Sequence, residues 1–202
     1  MIIENPIANE YIIEAPEFID WFPPRDELWD LRGELLGGDQ RSWDGQDWYR
    51  TNDDPRFQNS LDRIDRAYVD EGTDITPYLT VKHEGLWMRP HIDNCPGRNV
   101  VLIYPISPLD YDIVYVDKCE EGMEQLDTDF YHRPYEDTVP YEYNEVFRHT
   151  YRCPTFLNTK HPHAVEERRE RKMLSFRVNF GDESWTFNDV VNHYKSGKMF
   201  HV

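Results

Sequence analysis

The chain has 202 residues, of which 39% are hydrophobic and 14% aromatic, and its 22 Lys and Arg against 39 Asp and Glu give a formal net charge of −17. A chain of this length suits one domain that buries ~70% of its unfolded surface, and its aromatic content excludes a disordered chain. No run approaches the ~20 apolar residues of a membrane span, and the acidity argues against nucleic acid, whose phosphates are neutralised by clustered Lys and Arg.

The first 75 residues are predicted to be helical and irregular, forming a decoration packed on the rest of the chain. A helix is predicted from Arg25 to Leu36, because the segment follows Pro23-Pro24 and stops at Gly37-Gly38. The segment Asp44–Asp54 is predicted to be a loop. A second helix is predicted over residues 56–70, because their apolar residues recur at helical spacing.

Residues 76–202 are predicted to form a β-rich core, and the absence of a Gly- and Ser-rich linker makes the whole chain one structural domain. Many short strands with turns between them favour a sandwich or barrel over a parallel sheet. The predicted strands are Tyr78–Lys82, Asn99–Ile106, Asp112–Val116, Val146–Arg152, Thr155–Asn158 and Arg171–Phe180. A final helix is predicted over Thr186–Lys195.

The stretch Glu120–Tyr143 is acidic, aromatic and weakly periodic. A connection of this length is uncommon in a compact domain unless it has a function. It either covers a site or is an ordered excursion with some strand content.

Three cysteines, Cys95, Cys119 and Cys153, are widely spaced and contain no CxxC pair. Their odd number and spacing argue against a disulfide scaffold or a zinc ribbon and favour a reducing, cytoplasmic location. The N-terminus lacks the basic and apolar regions of a secretory signal.

One histidine is followed two places later by a carboxylate, in His91-Ile92-Asp93. Residues two apart on an extended strand share a face, so both side chains can reach one point. A third ligand is available far downstream at His163. Two imidazoles and one carboxylate on one face of a metal form the facial triad of non-haem Fe(II) oxygenases.

The strand Arg171–Phe180 alternates between two kinds of side chain. From position 174 its even positions are apolar, whereas its odd positions include Arg171, Ser175 and Arg177. The pattern fits an ordinary sheet with a solvated outer face. It also fits a barrel strand that turns its polar face inward, where an Arg binds a carboxylate through two parallel hydrogen bonds.

The segments HIDNCPGRNVVLIY and LNTKHPHAVEERRERKMLSFRV together resemble the Fe(II)/2-oxoglutarate dioxygenase superfamily, and most closely its prolyl-hydroxylase-like members. The resemblance covers about a quarter of the chain and implies a double-stranded β-helix (jelly-roll) core with helices outside. It implies that His91, Asp93 and His163 hold Fe(II), that O2 and 2-oxoglutarate are consumed, and that Arg171 binds the distal carboxylate of 2-oxoglutarate.

Further roles follow from the same resemblance and the strand alternation. Ser175 and Arg177 are expected to point toward the cosubstrate and metal, and Tyr104 is either a cosubstrate contact or a core residue. The carboxylate of Asp93 favours hydroxylation or desaturation over halogenation, since halogenating members lack it. The chain departs from the family in the strand after HxD, and a one-residue shift would make Lys172 the anchor instead of Arg171.

Two alternatives stay open. His161 and His163 form a cupin-like HxH pair that Glu167 is spaced to join, although the glycine expected after that Glu is missing. A non-catalytic jelly-roll binding module is the other alternative. For an enzyme, the acidity favours a cationic peptide, an amine or an amino-acid-like substrate.

Overall fold

The computed structural model describes residues 8–21, 24, 27, 40–43, 46–50, 77–82, 86–92, 100–107, 112–118, 133–134, 143–166, 171–176 and 185–197. The helices are α1 (Ala8–Tyr11), a 3₁₀ helix (Pro16–Trp21) and α2 (Phe187–Lys195). The strands are β1 (Ile12–Glu14), β2 (Gln40–Trp43), β3 (Gln46–Arg50), β4 (Pro77–Lys82), β5 (Leu86–His91), β6 (Val100–Ser107), β7 (Asp112–Val116), β8 (Arg133–Pro134), β9 (Glu145–Thr150), β10 (Thr155–Asn158), β11 (His163–Glu166) and β12 (Arg171–Phe176).

The strands form two antiparallel sheets. The large sheet has the order β1-β10-β6-β12-β4-β3-β2, and the small sheet has the order β8-β5-β11-β7-β9. Eight strands pair in a nested way, β4 with β12, β5 with β11, β6 with β10 and β7 with β9. This nesting winds one long antiparallel ribbon through both sheets, which is the jelly-roll, or double-stranded β-helix, architecture. The prediction of a mainly β fold is confirmed.

The core between the sheets contains side chains from both of them. Val101 and Ile103 on β6 and Leu157 on β10, from the large sheet, cluster with Ile113 and Tyr115 on β7, from the small sheet. Each of the five is at most 5% exposed. Because side chains alternate along a strand, these residues identify the inner face of each sheet.

Helix α2 packs on the outer face of the large sheet. The Tyr194 ring lies 5.3 Å from Phe156 and 5.7 Å from Phe18. The N-terminus of α2 carries a capping box. In it, the Thr186 hydroxyl accepts from the Asp189 N–H, and the Asp189 carboxylate accepts from the Thr186 N–H. This helix lies where the sequence predicts one. None of the helices in the described ranges is long and apolar enough to cross a membrane.

The N-terminal part of the chain contributes strands to the large sheet. Gln46–Arg50 is a strand, so the loop predicted over Asp44–Asp54 is wrong there. This strand pairs with β4, which places strands from both sides of residue 75 in one sheet. The helix predicted over Arg25–Leu36 lies outside the described residues except for Glu27, which is helical, and the helix predicted over residues 56–70 lies wholly outside them.

The structure also contains strands that the sequence patterns missed, namely β1, β2, β5, β8 and β11. The Glu120–Tyr143 stretch lies outside the described residues except for β8 and Tyr143, and β8 pairs with the start of β5. The predicted strand Arg171–Phe180 is described as far as Phe176.

Candidate metal centre

Two buried histidines meet at one end of the small sheet. His91 is the last residue of β5 and His163 the first of β11, and the two are direct partners across this antiparallel pair. Cross-strand partners project from the same face of a sheet. Their ring centroids are 4.3 Å apart with an interplanar angle of 49°, and they are 4% and 5% exposed. The fold therefore brings two imidazoles that are distant in sequence into contact.

A bulge beside His91 shapes this end of the strand pair. His163 pairs with His91 and Val165 with Met88, so β5 carries one more residue than β11 over this stretch. Pro90 lies in this bulged stretch of β5. Proline has no N–H to donate to a neighbouring strand, so within sheets it is found at edges and bulges. Bulges re-aim side chains and occur often beside functional sites.

The tautomer of His163 follows from its hydrogen bond. Its Nδ1 lies 2.9 Å from the backbone carbonyl oxygen of His161. Because a carbonyl oxygen can only accept, Nδ1 carries the proton and Nε2 is the basic nitrogen of the neutral ring. Histidine ligands of metals commonly donate their other ring N–H in this way, which fixes the orientation of the ring.

An aromatic row continues from the two histidines across the small sheet. His91, His163, Tyr115 and Phe147 are successive cross-strand partners on β5, β11, β7 and β9. The Tyr115 ring lies 6.0 Å from the His163 ring and is fully buried. The Tyr11 ring covers this row, 4.7 Å from Tyr115 and 5.4 Å from Phe147. Burial, with a smaller contribution from the Glu10 carboxylate, raises the pKa of Tyr11.

Neither Tyr11 nor Tyr115 is among the site residues predicted from the sequence. The alternation in Asp112–Val116, which puts Ile113 and Tyr115 on one face, was the available signal for Tyr115. No comparable pattern marked Tyr11, because its contacts come from parts of the chain far away in sequence.

His161 is partly exposed and makes its side-chain contacts away from the histidine pair. Its Nε2 lies 3.6 Å from a carboxylate oxygen of Glu10, and its ring packs edge-on against Tyr11 at 5.0 Å. Its backbone carbonyl, and not its ring, is the group that reaches His163. These contacts favour a supporting role over the ligand role of the cupin-like alternative.

The remaining predicted site residues are described in part or not at all. Asp93, Arg177 and Glu167 lie outside the described residues. Arg171 and Ser175 are described as backbone positions of β12, paired with Lys82 and Tyr78 of β4. Within the described ranges no three His, Cys, Asp or Glu side chains form a metal-binding group.

Tyr104 is 1% exposed and lies in the middle of β6. Its neighbour Ile103 belongs to the inner core cluster, so alternation places Tyr104 on the outer face of the large sheet, together with Leu102. Leu102 is the direct partner of Phe156, which packs against α2. Of the two roles open to Tyr104, this position fits the packing role, and the cosubstrate contact stays a prediction.

The chemistry of the histidine pair fits a divalent transition metal. Imidazole nitrogen is a suitable ligand for iron, zinc, copper and nickel. At His163 the hydrogen bond to a carbonyl already selects the tautomer whose Nε2 can bind a metal. The two imidazoles would hold such a metal through two ligands, and its remaining ligands would come from elsewhere.

Comparison with solved structures identifies the fold. The chain superimposes on a prolyl hydroxylase from Trichoplax adhaerens, solved in complex with a hypoxia inducible factor oxygen degradation domain peptide fragment, with a TM-score of 0.50 and 14% identity over 95% of this chain and 90% of that chain. The chain has the fold of that prolyl hydroxylase. This shared fold agrees with the fold that the resemblance to the Fe(II)/2-oxoglutarate dioxygenase superfamily implies.

Two other solved structures are similar at lower scores. HygX from Streptomyces hygroscopicus with nickel and 2-oxoglutarate bound has a TM-score of 0.46 and 13% identity over 89% of this chain and 86% of that chain. The non-heme alpha ketoglutarate dependent epimerase SnoN has a TM-score of 0.47 and 15% identity over 83% and 78%. No protein-family model matches the chain, and no curated protein matches its sequence.

Proposed function

We propose that the protein is a non-haem Fe(II)/2-oxoglutarate-dependent oxygenase that hydroxylates a C–H bond of a peptide or of a small amine or amino-acid-like molecule. The observation that carries the proposal is the contact between two buried imidazoles at the ends of β5 and β11, with the His163 tautomer fixed by the His161 carbonyl. The jelly-roll fold supports it, because the chain shares this fold with a prolyl hydroxylase.

His91, Asp93 and His163 would hold the metal as two imidazoles and one carboxylate, leaving the opposite positions for other ligands. When bound, iron and 2-oxoglutarate would supply the oxidation, in which O2, 2-oxoglutarate and the substrate C–H yield the alcohol, succinate and CO2. The protein contributes position and environment. The sheet holds the two imidazoles side by side, and their burial keeps bulk water from their rings.

Position 171 suits a cosubstrate clamp because of the register of β12. Ser175 is the cross-strand partner of Ile103, which belongs to the inner core cluster. β12 pairs with β4 without irregularity from Phe176 to Arg171, so position 171 has the same parity as position 175 and falls on the inner face. A guanidinium there would pair with the distal carboxylate of 2-oxoglutarate.

The charge of the chain supports a cationic or neutral substrate. A formal charge of −17 raises the local concentration of cations and repels polyanions such as nucleic acid. The prolyl hydroxylase of similar fold was solved with a peptide fragment. A peptide or an amine is therefore the substrate class that we propose.

The proposal is tested by succinate release from protein supplied with Fe(II), 2-oxoglutarate and O2, with and without a library of cationic peptides. We expect His91→Ala and Asp93→Ala to abolish succinate formation, because each removes a metal ligand. His161→Ala removes an imidazole two residues from His163 but retains the backbone carbonyl, so it should keep much of the activity that Asp93→Ala loses. His193→Ala is the matched control, because it removes an imidazole on α2, away from the histidine pair, and it should match the wild type.

Two results would contradict the proposal in different ways. Loss of activity in His161→Ala with full activity in Asp93→Ala would favour the cupin-like site of His161, His163 and Glu167. Absence of Fe(II) and 2-oxoglutarate binding by calorimetry would leave a non-catalytic jelly-roll binding module.

A further inference from the structure

The C-terminal end of α1 is held by two side chains from the core of the molecule. The last carbonyls of a helix have no partner within it. The Asn158 amide donates to the carbonyl oxygen of Glu10 at 3.0 Å, and the Tyr115 hydroxyl donates to the carbonyl oxygen of Tyr11 at 3.0 Å. The donors belong to different sheets, since Asn158 ends β10 and Tyr115 lies in β7. The N-terminal turn is thus fixed at the end of the sheets where His163 lies.

This turn reaches the histidine pair through the loop that precedes His163. The Tyr11 ring packs edge-on against the His161 ring at 5.0 Å, and the His161 carbonyl receives the Nδ1 proton of His163. The loop is fastened from the other side as well, because the Val116 N–H donates to the Pro162 carbonyl at 3.0 Å. Tyr115 is therefore linked to His163 in two ways. Its hydroxyl holds Tyr11, whose ring packs on His161, and its own ring lies beside the His163 imidazole.

We propose that Tyr115 is a positioning residue of the histidine pair, whose hydroxyl holds the N-terminal turn so that the His161 carbonyl keeps His163 in its Nδ1–H tautomer. The relevance of this tautomer to a metal rests on the proposed function, whereas the tautomer itself does not. A hydroxyl with no direct contact to the metal would in this way set how well His163 binds one.

The test compares two variants that each remove one hydroxyl from the N-terminal attachment. Tyr115→Phe removes the donor to Tyr11 and keeps the ring. Tyr194→Phe removes the hydroxyl that donates to Glu17, which also fastens the N-terminal segment but from α2. Circular dichroism verifies that both variants fold.

Two measurements on metal-free protein are needed. The first is ¹⁵N NMR of the imidazole groups, in which the wild type should show His163 as the Nδ1–H tautomer and Tyr115→Phe should show a mixture of tautomers. The second is titration with Co(II) alone, in which Tyr115→Phe should bind about tenfold more weakly, at the lower end of the effect of removing a group that supports a metal ligand. Tyr194→Phe should match the wild type in both.

The outcomes separate this proposal from the proposed function. A wild type that fails to bind Co(II) contradicts the metal site, and the NMR comparison still decides the role of Tyr115. An unchanged His163 signal and unchanged Co(II) affinity in Tyr115→Phe, or an equal loss in Tyr194→Phe, overturns the positioning role. If Tyr115→Phe does not fold, Tyr11→Leu removes the ring that packs on His161 and must produce the same tautomer mixture for the proposal to stand.

Discussion

At the scale of single residues, the buried histidines of this protein differ in how their ring nitrogens are satisfied. The Nδ1–H of His163 donates to the His161 carbonyl, and the His163 ring packs against the His91 ring. His149 on β9 is 7% exposed, packs edge-on against Tyr151 at 5.4 Å, and has no hydrogen-bond partner at Nε2. Burial lowers the pKa of His149 to about 4, while Asp112 opposes and Arg152 reinforces this shift.

His149 should make the protein less stable in mild acid. The unfolded chain protonates this imidazole near its ordinary pKa of 6.5 and the folded chain only near 4, so the unfolded state binds more protons between these values. Stability therefore falls as the pH falls through this window, by about 2 kcal/mol between pH 7 and pH 5. Urea unfolding at both pH values measures the loss.

His149→Leu should remove most of this pH dependence, because the leucine side chain does not titrate. His193→Leu is the control, since His193 lies on α2 and stacks on Trp185 outside the core. A pH dependence in His149→Leu equal to that of the wild type would show that other groups cause the acid loss.

The sequence could identify single residues only where a short pattern marked them. The HxD pattern drew attention to His91, and the downstream His163 was the natural partner for it. The roles of Tyr115 and of the His161 carbonyl could not be predicted, because both depend on contacts with α1, more than a hundred residues away.

At the scale of elements, strands rich in β-branched and aromatic residues were predictable, whereas strands that are mostly polar or interrupted by proline were not. Asp112–Val116 and Thr155–Asn158 have the predicted bounds. β5 was missed because Pro90 and the bulge interrupt its pattern. β11 was missed because its sequence, HAVE, contains only one strong strand former, Val165. β3 was missed because its sequence, QDWYR, is mostly polar.

The regular pairing of β12 with β4 places position 171, and not position 172, on the inner face, and this gives a testable prediction. We expect Arg171→Ala to raise the 2-oxoglutarate concentration for half-maximal succinate release by about 10- to 100-fold, because it removes a charge-assisted pair. Position 172 has the opposite parity, so Lys172→Ala should change this 2-oxoglutarate concentration by less than about twofold. Neither variant should alter metal affinity. A larger effect from Lys172→Ala would show that the clamp is shifted by one residue.

At the scale of the whole molecule, the nested strand pairing assembles the site. It makes β5 and β11 neighbours although the chain passes through other strands, β6 to β10, between them. The jelly-roll class could be expected from the many short strands and from the resemblance to oxygenases. The strand order and register could not, because they depend on non-local pairing that no local pattern encodes.

The claim on which the rest depends is that His91, Asp93 and His163 bind one metal ion. Anomalous diffraction from crystals grown with zinc, recorded on both sides of the zinc absorption edge, tests it most directly. We expect one peak between the two imidazoles, ~2 Å from a nitrogen of each ring, with an Asp93 oxygen completing the set. A peak bound by His161, or no zinc between His91 and His163, would contradict the account.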